Sequence, residues 1–304
     1  MDIWQPDPGE TLLARAPATF ATGAATRVKG MRWFRDNERN DIQSELPGWP
    51  EGPVYTAHSS GASLSRKAGK GGAMAVGGAI MAVLSAFGGN ASGSPFGDSG
   101  SDTPDNRADE VEDFPVMWAA PNALARTLPW QLDPGRSDEK HYRTHAIITD
   151  RRLVIVGLPY YKKDERRIED EVLWETPRST ISKVEPRNFK DGWDVQVSFT
   201  DGSWCRLSSL SRGKLTRYLV STPDLIPWES LTPAQREAID NFLATTRASD
   251  HSEPFVTRLP CGHYRAEAFV PDQLSAFFGA GSDNFHMNDD GSEVEYADLH
   301  PEDL

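Results

Sequence analysis

The stretch that decides the fold covers residues 144–158 and reads THAIITDRRLVIVGL. Its first five residues form a strand candidate, the polar sequence TDRR forms a turn, and the apolar run LVIVGL forms a second strand candidate. Two apolar, β-branched runs that a short polar turn separates predict a β-hairpin. Because both strands are apolar on both faces, we expect them to be buried in a barrel or beneath another element.

A second hairpin can be registered from its side-chain pattern. Every second residue of 193–199 is apolar, so one face of this strand is apolar and the other is polar. A two-residue Asp-Gly loop would place Val197 opposite Arg206. A three-residue loop over 200–202, with its glycine in the left-handed conformation, places Val197 opposite Cys205 and keeps the apolar face continuous. We therefore predict the longer loop, with Cys205 in the core and neither a nucleophile nor a ligand.

Further elements on both sides of this hairpin fit a small β domain. Residues 171–185 read as a strand, a break at Pro177, and another strand. After the last strand, residues 213–220 place three large side chains on one helical face, namely Leu215, Tyr218 and Leu219. A helix there would plug the open end of a curled sheet.

The run ITDRRLVI at residues 148–155 resembles the hairpin of bacterial pleckstrin-homology-like and GRAM-like domains. The other motifs of that family follow in its order: Ile181-Ser182-Lys183-Val184, Gly192-Trp193, the Asp201-Gly202 turn and the helix over 213–220. The resemblance implies an α+β fold over about residues 115–222, a small antiparallel β-barrel or curled sheet capped by a C-terminal helix. It places the first strand near residues 123–128. The charged loop over 160–171 is longer than the family pattern.

The rest of the chain reads as largely irregular extensions of this domain. Residues 1–56 predict a partly ordered N-terminal segment, and 57–114 combine an apolar Gly/Ala segment with an acidic, disordered linker. We expect residues 248–304 to form a loosely ordered acidic tail. Residues 223–247 predict a packing helix that begins with an N-cap, a first-turn proline and a capping-box residue, Thr232, Pro233 and Gln235.

The charge of the chain is unevenly distributed. The formal net charge is −13, yet residues 140–220 carry 16 Lys and Arg against 11 Asp and Glu. A strongly acidic chain is repelled by nucleic acid, so we expect no nucleic-acid partner. Because residues 140–220 are mildly basic, an anionic membrane remains a possible partner. The alternative interpretation is that the basic excess reflects chance variation among solvated loops. Two cysteines and an N-terminus without the features of a secretory signal predict a cytoplasmic protein.

One uncharged segment, residues 71–89, reads GGAMAVGGAIMAVLSAFGG. As a helix it would reach roughly 28 Å at about 1.5 Å per residue, close to the thickness of a bilayer core. Basic residues precede it and acidic residues follow it, as expected for a cytoplasmic N-terminal flank. Because glycine and alanine dominate, a buried or flexible segment is the main interpretation, and membrane association is the alternative.

The candidate binding site is the loop over residues 160–167, YYKKDERR. Its two aromatic and four basic side chains suit a phosphorylated headgroup or another anionic surface: Tyr160, Tyr161, Lys162, Lys163, Arg166 and Arg167. Two acidic residues between the basic pairs weaken their field. The alternative interpretation is a solvated loop with internal ion pairs.

The sequence contains no P-loop, dinucleotide-binding, nucleophile-elbow, zincin or EF-hand motif, so we expect no catalytic residues and no cofactor. Cys261-Gly262-His263 resembles half of a zinc site, but a structural site needs four ligands, and we expect no metal. The predicted function is a non-enzymatic binding module or adaptor whose ligand is a protein or peptide. Two alternatives remain: a membrane-associated scaffold that uses 71–89 and the 160–167 loop, and an enzyme of unrecognised type.

Overall fold

A computed structural model describes residues 3–20, 34–38, 40, 42, 45–46, 117–128, 132, 142–159, 161, 167–187, 194–209, 211–221, 223–245, 253–269 and 282–300. This part of the chain is α+β, with mostly antiparallel sheets and two α-helices. The strands in chain order are β1 (Leu12–Pro17), β2 (Thr19–Phe20), β3 (Phe34–Arg35), β4 (Met117–Trp118), β5 (Tyr142–Thr149), β6 (Arg152–Pro159), β7 (Glu171–Pro177), β8 (Ile181–Arg187), β9 (Asp194–Phe199), β10 (Trp204–Ser208), β11 (Phe255–Arg258), β12 (Tyr264–Phe269) and β13 (Ser282–Met287). The α-helices are α1 (Arg212–Val220) and α2 (Pro233–Thr245).

The first sheet contains four antiparallel strands in the order β1-β5-β6-β7. Strands β5 and β6 form the predicted hairpin, with Ile147 opposite Val154. One face of this hairpin belongs to the main core, and the other forms a smaller apolar cluster against which Trp4 and Leu12 pack. The predicted burial of both faces is confirmed, because each face lies under another layer.

The second sheet has the order β3-β4-β10-β9-β8, and β2 also pairs with β10. In the hairpin of β9 and β10, Val197 lies opposite Cys205, which confirms the register of the three-residue loop. Gly202 in this loop has a φ of +83°, a conformation that favours glycine. Cys205 is buried in the main core, as predicted.

The first strand does not lie where the resemblance placed it. Residues 124–127 form a 3₁₀ helix, and the strand that pairs with β5 on the side away from β6 is β1. The first sheet therefore begins before the expected boundary at residue 115. The side chains of the β9–β10 loop hold this helix. Asp201 accepts a hydrogen bond from the N–H of Leu124, and Ser203 accepts one from the N–H of Ala125. Because these acceptors satisfy its N–H groups, the segment forms a turn and not a strand.

The two sheets are joined at one corner and open at the other. The chain passes from β1 to β2 at Ala18, whose N–H donates to the carbonyl of Thr144 at 3.0 Å. On the opposite side, β7 pairs only with β6 and β8 only with β9 among the described strands. The sheets therefore do not close, and the expected barrel is not confirmed.

Helix α1 packs against the main core through the face that the sequence predicted. Leu215, Tyr218 and Leu219 are all buried there. The helix contacts β8, β1, β9 and β5, so it touches both sheets. The predicted helix over 213–220 is confirmed.

The C-terminal region differs from the expected loose tail. Strands β11, β12 and β13 form an antiparallel sheet, and α2 packs on one of its faces through Ile239. Helix α2 begins with the predicted capping box, in which Thr232 and Gln235 exchange side-chain and backbone hydrogen bonds. The buried positions of the sheet combine apolar side chains such as Phe255 and Met287 with alanines and with ion-paired residues such as Glu267. The described residues 253–269 and 282–300 therefore include an ordered sheet, where the sequence predicted a loosely ordered tail.

The apolar segment 71–89 and the whole predicted linker over 57–114 lie outside the described residues. The longer of the two described α-helices is α2, with 13 residues. Within the described ranges, no helix has the length and apolar composition needed to cross a membrane.

Candidate binding edge

The predicted loop leads from β6 into β7, and the structure describes part of it. Tyr161 and Arg167 are described, whereas four of the predicted contact residues lie outside the described residues: Tyr160, Lys162, Lys163 and Arg166. The guanidinium of Arg167 lies 4.1 Å from the centre of the Tyr161 ring and 2.8 Å from the carboxylate of Glu169. The Tyr161 hydroxyl donates a hydrogen bond to the same carboxylate at 2.6 Å.

These three side chains balance their own charge. The hydrogen bond from Tyr161, followed by those from Arg167, lowers the pKa of Glu169 and keeps this carboxylate ionised. The positive charge of Arg167 is therefore met by a carboxylate in direct contact with it. This arrangement is the internal ion pair that the alternative interpretation of the loop expects.

A buried ion pair anchors the end of the loop. Asp170 accepts two hydrogen bonds from the guanidinium of Arg15 on β1, both at 2.6 Å, and a third from the N–H of Trp4 at 2.7 Å. The side chains of both charged residues are 1% exposed. Bidentate pairing of arginine with a carboxylate adds geometric specificity to its strength. The pair therefore fixes the point at which the loop enters β7.

His145 lies beside this ion pair on β5. Its Nδ1 accepts a hydrogen bond from Nε of Arg15 at 3.0 Å, so Nε2 carries the proton of the neutral ring. Nε2 is buried and has no hydrogen-bond partner in the part of the chain that the structure describes. Burial, together with the charges of Arg15 and Arg143, holds the pKa of His145 well below its ordinary value. His145 is therefore a buried neutral group at physiological pH.

A small pocket adjoins Arg15, where the N-terminal segment covers the first sheet. It is lined by Ile3, Trp4, Gln5, Leu12, Arg15, Ile147 and Phe269. Its volume of about 10 Å³ is room for roughly one water molecule. Small-molecule sites usually need several hundred Å³, so this pocket does not accommodate a metabolite.

The outer side of β6 and β7 carries more negative than positive charge. Arg152 on β6 contacts three carboxylates, those of Asp7 at 2.9 Å, Glu10 at 2.8 Å and Glu175 at 3.0 Å. Burial disfavours the ionised form of Glu10, but hydrogen bonds from Arg152 and Thr149 outweigh it and lower the pKa. One guanidinium therefore contacts three carboxylates, and the four side chains together carry a net negative charge.

Strand β7 is an exposed edge. Since β6 is its single partner among the described strands, the other side of β7 has no strand bound to it there. Val172 is 49% exposed, and the neighbouring Glu171 and Glu175 are exposed too. The strand contains proline only at its last position, Pro177. Its backbone can therefore accept a further strand.

The other edges of these two sheets are protected. Strand β1 is almost wholly buried, and β3 is described over two residues. Strand β8 is covered in part by α1 and contains Pro186, and its Lys183 and Glu185 pair with each other at 2.9 Å. Proline within a strand removes a backbone donor and discourages pairing with another chain. Strand β7 is therefore the edge best suited to bind an extended segment.

The residues considered for metal or thiol chemistry are Cys205, Cys261 and His263. In the described ranges, no group of three or more His, Cys, Asp or Glu side chains is placed to hold a metal ion. Burial raises the pKa of the Cys205 thiol to about 12. Cys261 and His263 flank Gly262, whose φ of +101° marks a turn, and the His263 ring lies 5.5 Å from that of His300.

Sequence reasoning missed the anchor and the edge. The one signal for the anchor is Arg15, a single cation inside the apolar run LLARAP, because a buried cation needs a carboxylate partner. Val172 was assigned to a strand, but strand order is not visible in a local pattern, so its edge position gave no signal.

No protein-family model, no curated protein and no solved structure matches this chain. A function must therefore be inferred from the geometry of the β7 edge and its loop.

Proposed function

We propose that this chain is a non-catalytic binding module of the pleckstrin-homology-like kind, whose ligand is a protein or peptide that pairs with the edge of β7. The observation that carries the proposal is the edge position of β7, which pairs with one strand among those described. The strand also has an exposed apolar side chain, Val172. An extended segment that joins such an edge gains main-chain hydrogen bonds, and its side chains set the specificity.

The order of the elements supports the pleckstrin-homology-like part of this proposal. Four antiparallel strands, β1, β5, β6 and β7, are followed by the antiparallel run β8, β9 and β10 and then by α1. The resemblance implies this order together with a barrel. In our proposal the module takes its first strand from residues 12–17 and stays open between β7 and β8.

The charges near the edge favour a protein or peptide over an anionic lipid. Arg167 is paired with Glu169, and Arg152 is shared among three carboxylates. Recognition of a phosphorylated headgroup needs an excess of basic side chains. The described part of this surface has an excess of acidic ones.

Peptide selection against the full chain tests the proposal. Short extended peptides are selected from a random displayed library, and their Kd is measured by fluorescence anisotropy with the wild type, Val172→Lys and Val220→Lys. Val220 is 59% exposed on α1, so its substitution is a matched control for an exposed valine. We expect at least a tenfold loss of affinity, about 1.4 kcal/mol, in Val172→Lys alone. Equal affinity of all three proteins would contradict the proposal.

Vesicle sedimentation separates this proposal from a membrane-associated scaffold. The scaffold predicts that the protein pellets with anionic vesicles, and that deletion of 71–89 or replacement of the basic residues of the 160–167 loop by alanine abolishes this. Headgroup binding by the loop would also weaken as salt is raised. Our proposal predicts no sedimentation with neutral or anionic vesicles.

A further inference from the structure

We infer that the segment bound by β7 is basic, with lysine or arginine side chains at the positions that face Glu171 and Glu175. The inference rests on the proposed function and names the chemical class of its partner. Glu171 is exposed, and its carboxylate accepts a hydrogen bond from the neutral Tyr142 hydroxyl at 3.2 Å. A cation on an incoming strand would supply the positive charge that this neutral contact does not.

The second acidic position, Glu175, is paired with an arginine that also contacts two other carboxylates. Its carboxylate lies 3.0 Å from Arg152, which also contacts Asp7 and Glu10. The side chain of Glu175 remains 53% exposed. A lysine or arginine placed here by a partner would complete the charge balance of the group, and opposite charges that lie across neighbouring strands attract.

The pairing of β7 with β6 defines which partner positions are basic. Val172 lies opposite Val156, and Glu175 lies opposite Val154, with a register shift between these two pairs. Because Val154 and Val156 belong to the same outer apolar cluster, Val172 and Glu175 lie on one face of the sheet. The partner strand therefore carries an apolar residue beside Val172 and a basic residue beside Glu175 on that face.

Glu171 selects a basic residue on the other face of the partner. It lies opposite Gly157, which alternates with the outward-facing Val156. The incoming segment therefore carries an apolar and a basic residue on one face, beside Val172 and Glu175, and a second basic residue on the other face, beside Glu171. The net charge of −13 of the whole chain also attracts a basic segment from a distance, so binding weakens as salt is raised.

Three matched peptides test this inference on the full chain. They share a pattern of alternating valine and threonine and carry lysine, glutamine or glutamate at the two charged positions. Fluorescence anisotropy measures their Kd at low and at physiological salt. We expect the lysine peptide to bind at least tenfold more tightly than the glutamine peptide, and the glutamate peptide to bind least.

Two double variants, each of which replaces two glutamates by lysines, test whether the β7 edge causes the preference for the lysine peptide. Glu171→Lys with Glu175→Lys reverses the order of the peptides, whereas Glu229→Lys with Glu237→Lys, both exposed and far along the chain from β7, leaves it unchanged. Equal binding of the three peptides that is still lost in Val172→Lys would overturn the basic partner and leave the edge as the binding site. Binding of any peptide that is unaffected by Val172→Lys would overturn the proposed function itself.

Discussion

Removal of the Asp170 carboxylate is the sharpest test of how the candidate edge is held in place. In Asp170→Ala the guanidinium of Arg15 stays buried and loses both of its hydrogen bonds to the carboxylate. Breaking one side of a buried ion pair costs roughly 3–5 kcal/mol, because the remaining charge is uncompensated. The N–H of Trp4 loses its acceptor as well, at roughly 1 kcal/mol.

We therefore expect the free energy of unfolding to fall by roughly 4–6 kcal/mol, a large part of the roughly 5–15 kcal/mol of an ordinary domain. Urea unfolding followed by tryptophan fluorescence measures this loss. Glu185→Ala is the matched control, since its partner Lys183 is 64% exposed and a surface pair contributes roughly 0–1 kcal/mol.

A double variant separates the uncompensated charge from simple loss of packing. Arg15→Met combined with Asp170→Leu removes both charges and keeps the site filled, and such replacements are often neutral or stabilising. We expect it to regain most of the stability lost in Asp170→Ala. A loss in Asp170→Ala no larger than that in Glu185→Ala would refute the reasoning, as would a double variant less stable than the single one.

Three further results are expected. The folded pKa of His145 lies below its ordinary value of 6.5, so the unfolded chain binds the proton first. The free energy of unfolding should then fall by up to about 1.4 kcal/mol for each pH unit below 6.5, and urea titrations of His145→Asn should lack this component. A Cβ on Gly157 would overlap the ring and hydroxyl of Tyr142, so Gly157→Ala should lose roughly 1–3 kcal/mol of unfolding free energy in chemical denaturation. Gly213→Ala, which has open space in α1, should gain up to about 1 kcal/mol, and a loss there or none at Gly157 would contradict the packing described. In the native protein a thiol reagent should modify the half-buried Cys261 and not the buried Cys205, and two thiols reacting at one rate would argue against the core position of Cys205.

The hairpins were predictable from the sequence because their determinants are local. The register of β9 and β10 follows from alternating side chains and from one glycine, Gly202, and the structure has the predicted pairs. Helix α2 was also predictable from the sequence, because its capping box, Thr232 and Gln235, lies within one turn.

Long-range pairing was not predictable in this way. Besides β6, strand β5 pairs with β1, which lies before the whole Gly/Ala segment and linker in the chain. No local sequence pattern indicates that β1 and β5 pair. Residues 123–128 were closer in sequence and were chosen wrongly. Their turn depends on the side chains of Asp201 and Ser203, which only the folded chain brings near.

The C-terminal sheet was missed because buried polar groups resemble exposed ones in a sequence. Glu267 on β12 is 2% exposed and is held by Lys214 at 2.9 Å, by the Ser282 hydroxyl and by the Tyr218 hydroxyl. Burial disfavours the ionised form of Glu267, but the charge of Lys214 and these hydrogen bonds outweigh it and lower the pKa. Such a network identifies a buried strand only when its partners are known, and two of them, Lys214 and Tyr218, lie on α1, far from β12 in the sequence.

Hydrogen exchange of the β7 backbone tests the central claim most directly. The full chain is exchanged with and without the lysine peptide, and amide protection is compared between residues 171–177 and residues 181–187 of the other edge. An added strand accepts hydrogen bonds from amides that face the open side of β7, so we predict slower exchange within 171–177 and no change within 181–187. Saturating peptide that leaves exchange within 171–177 unchanged, or that protects 181–187 instead, would contradict the assignment of β7 as the binding edge.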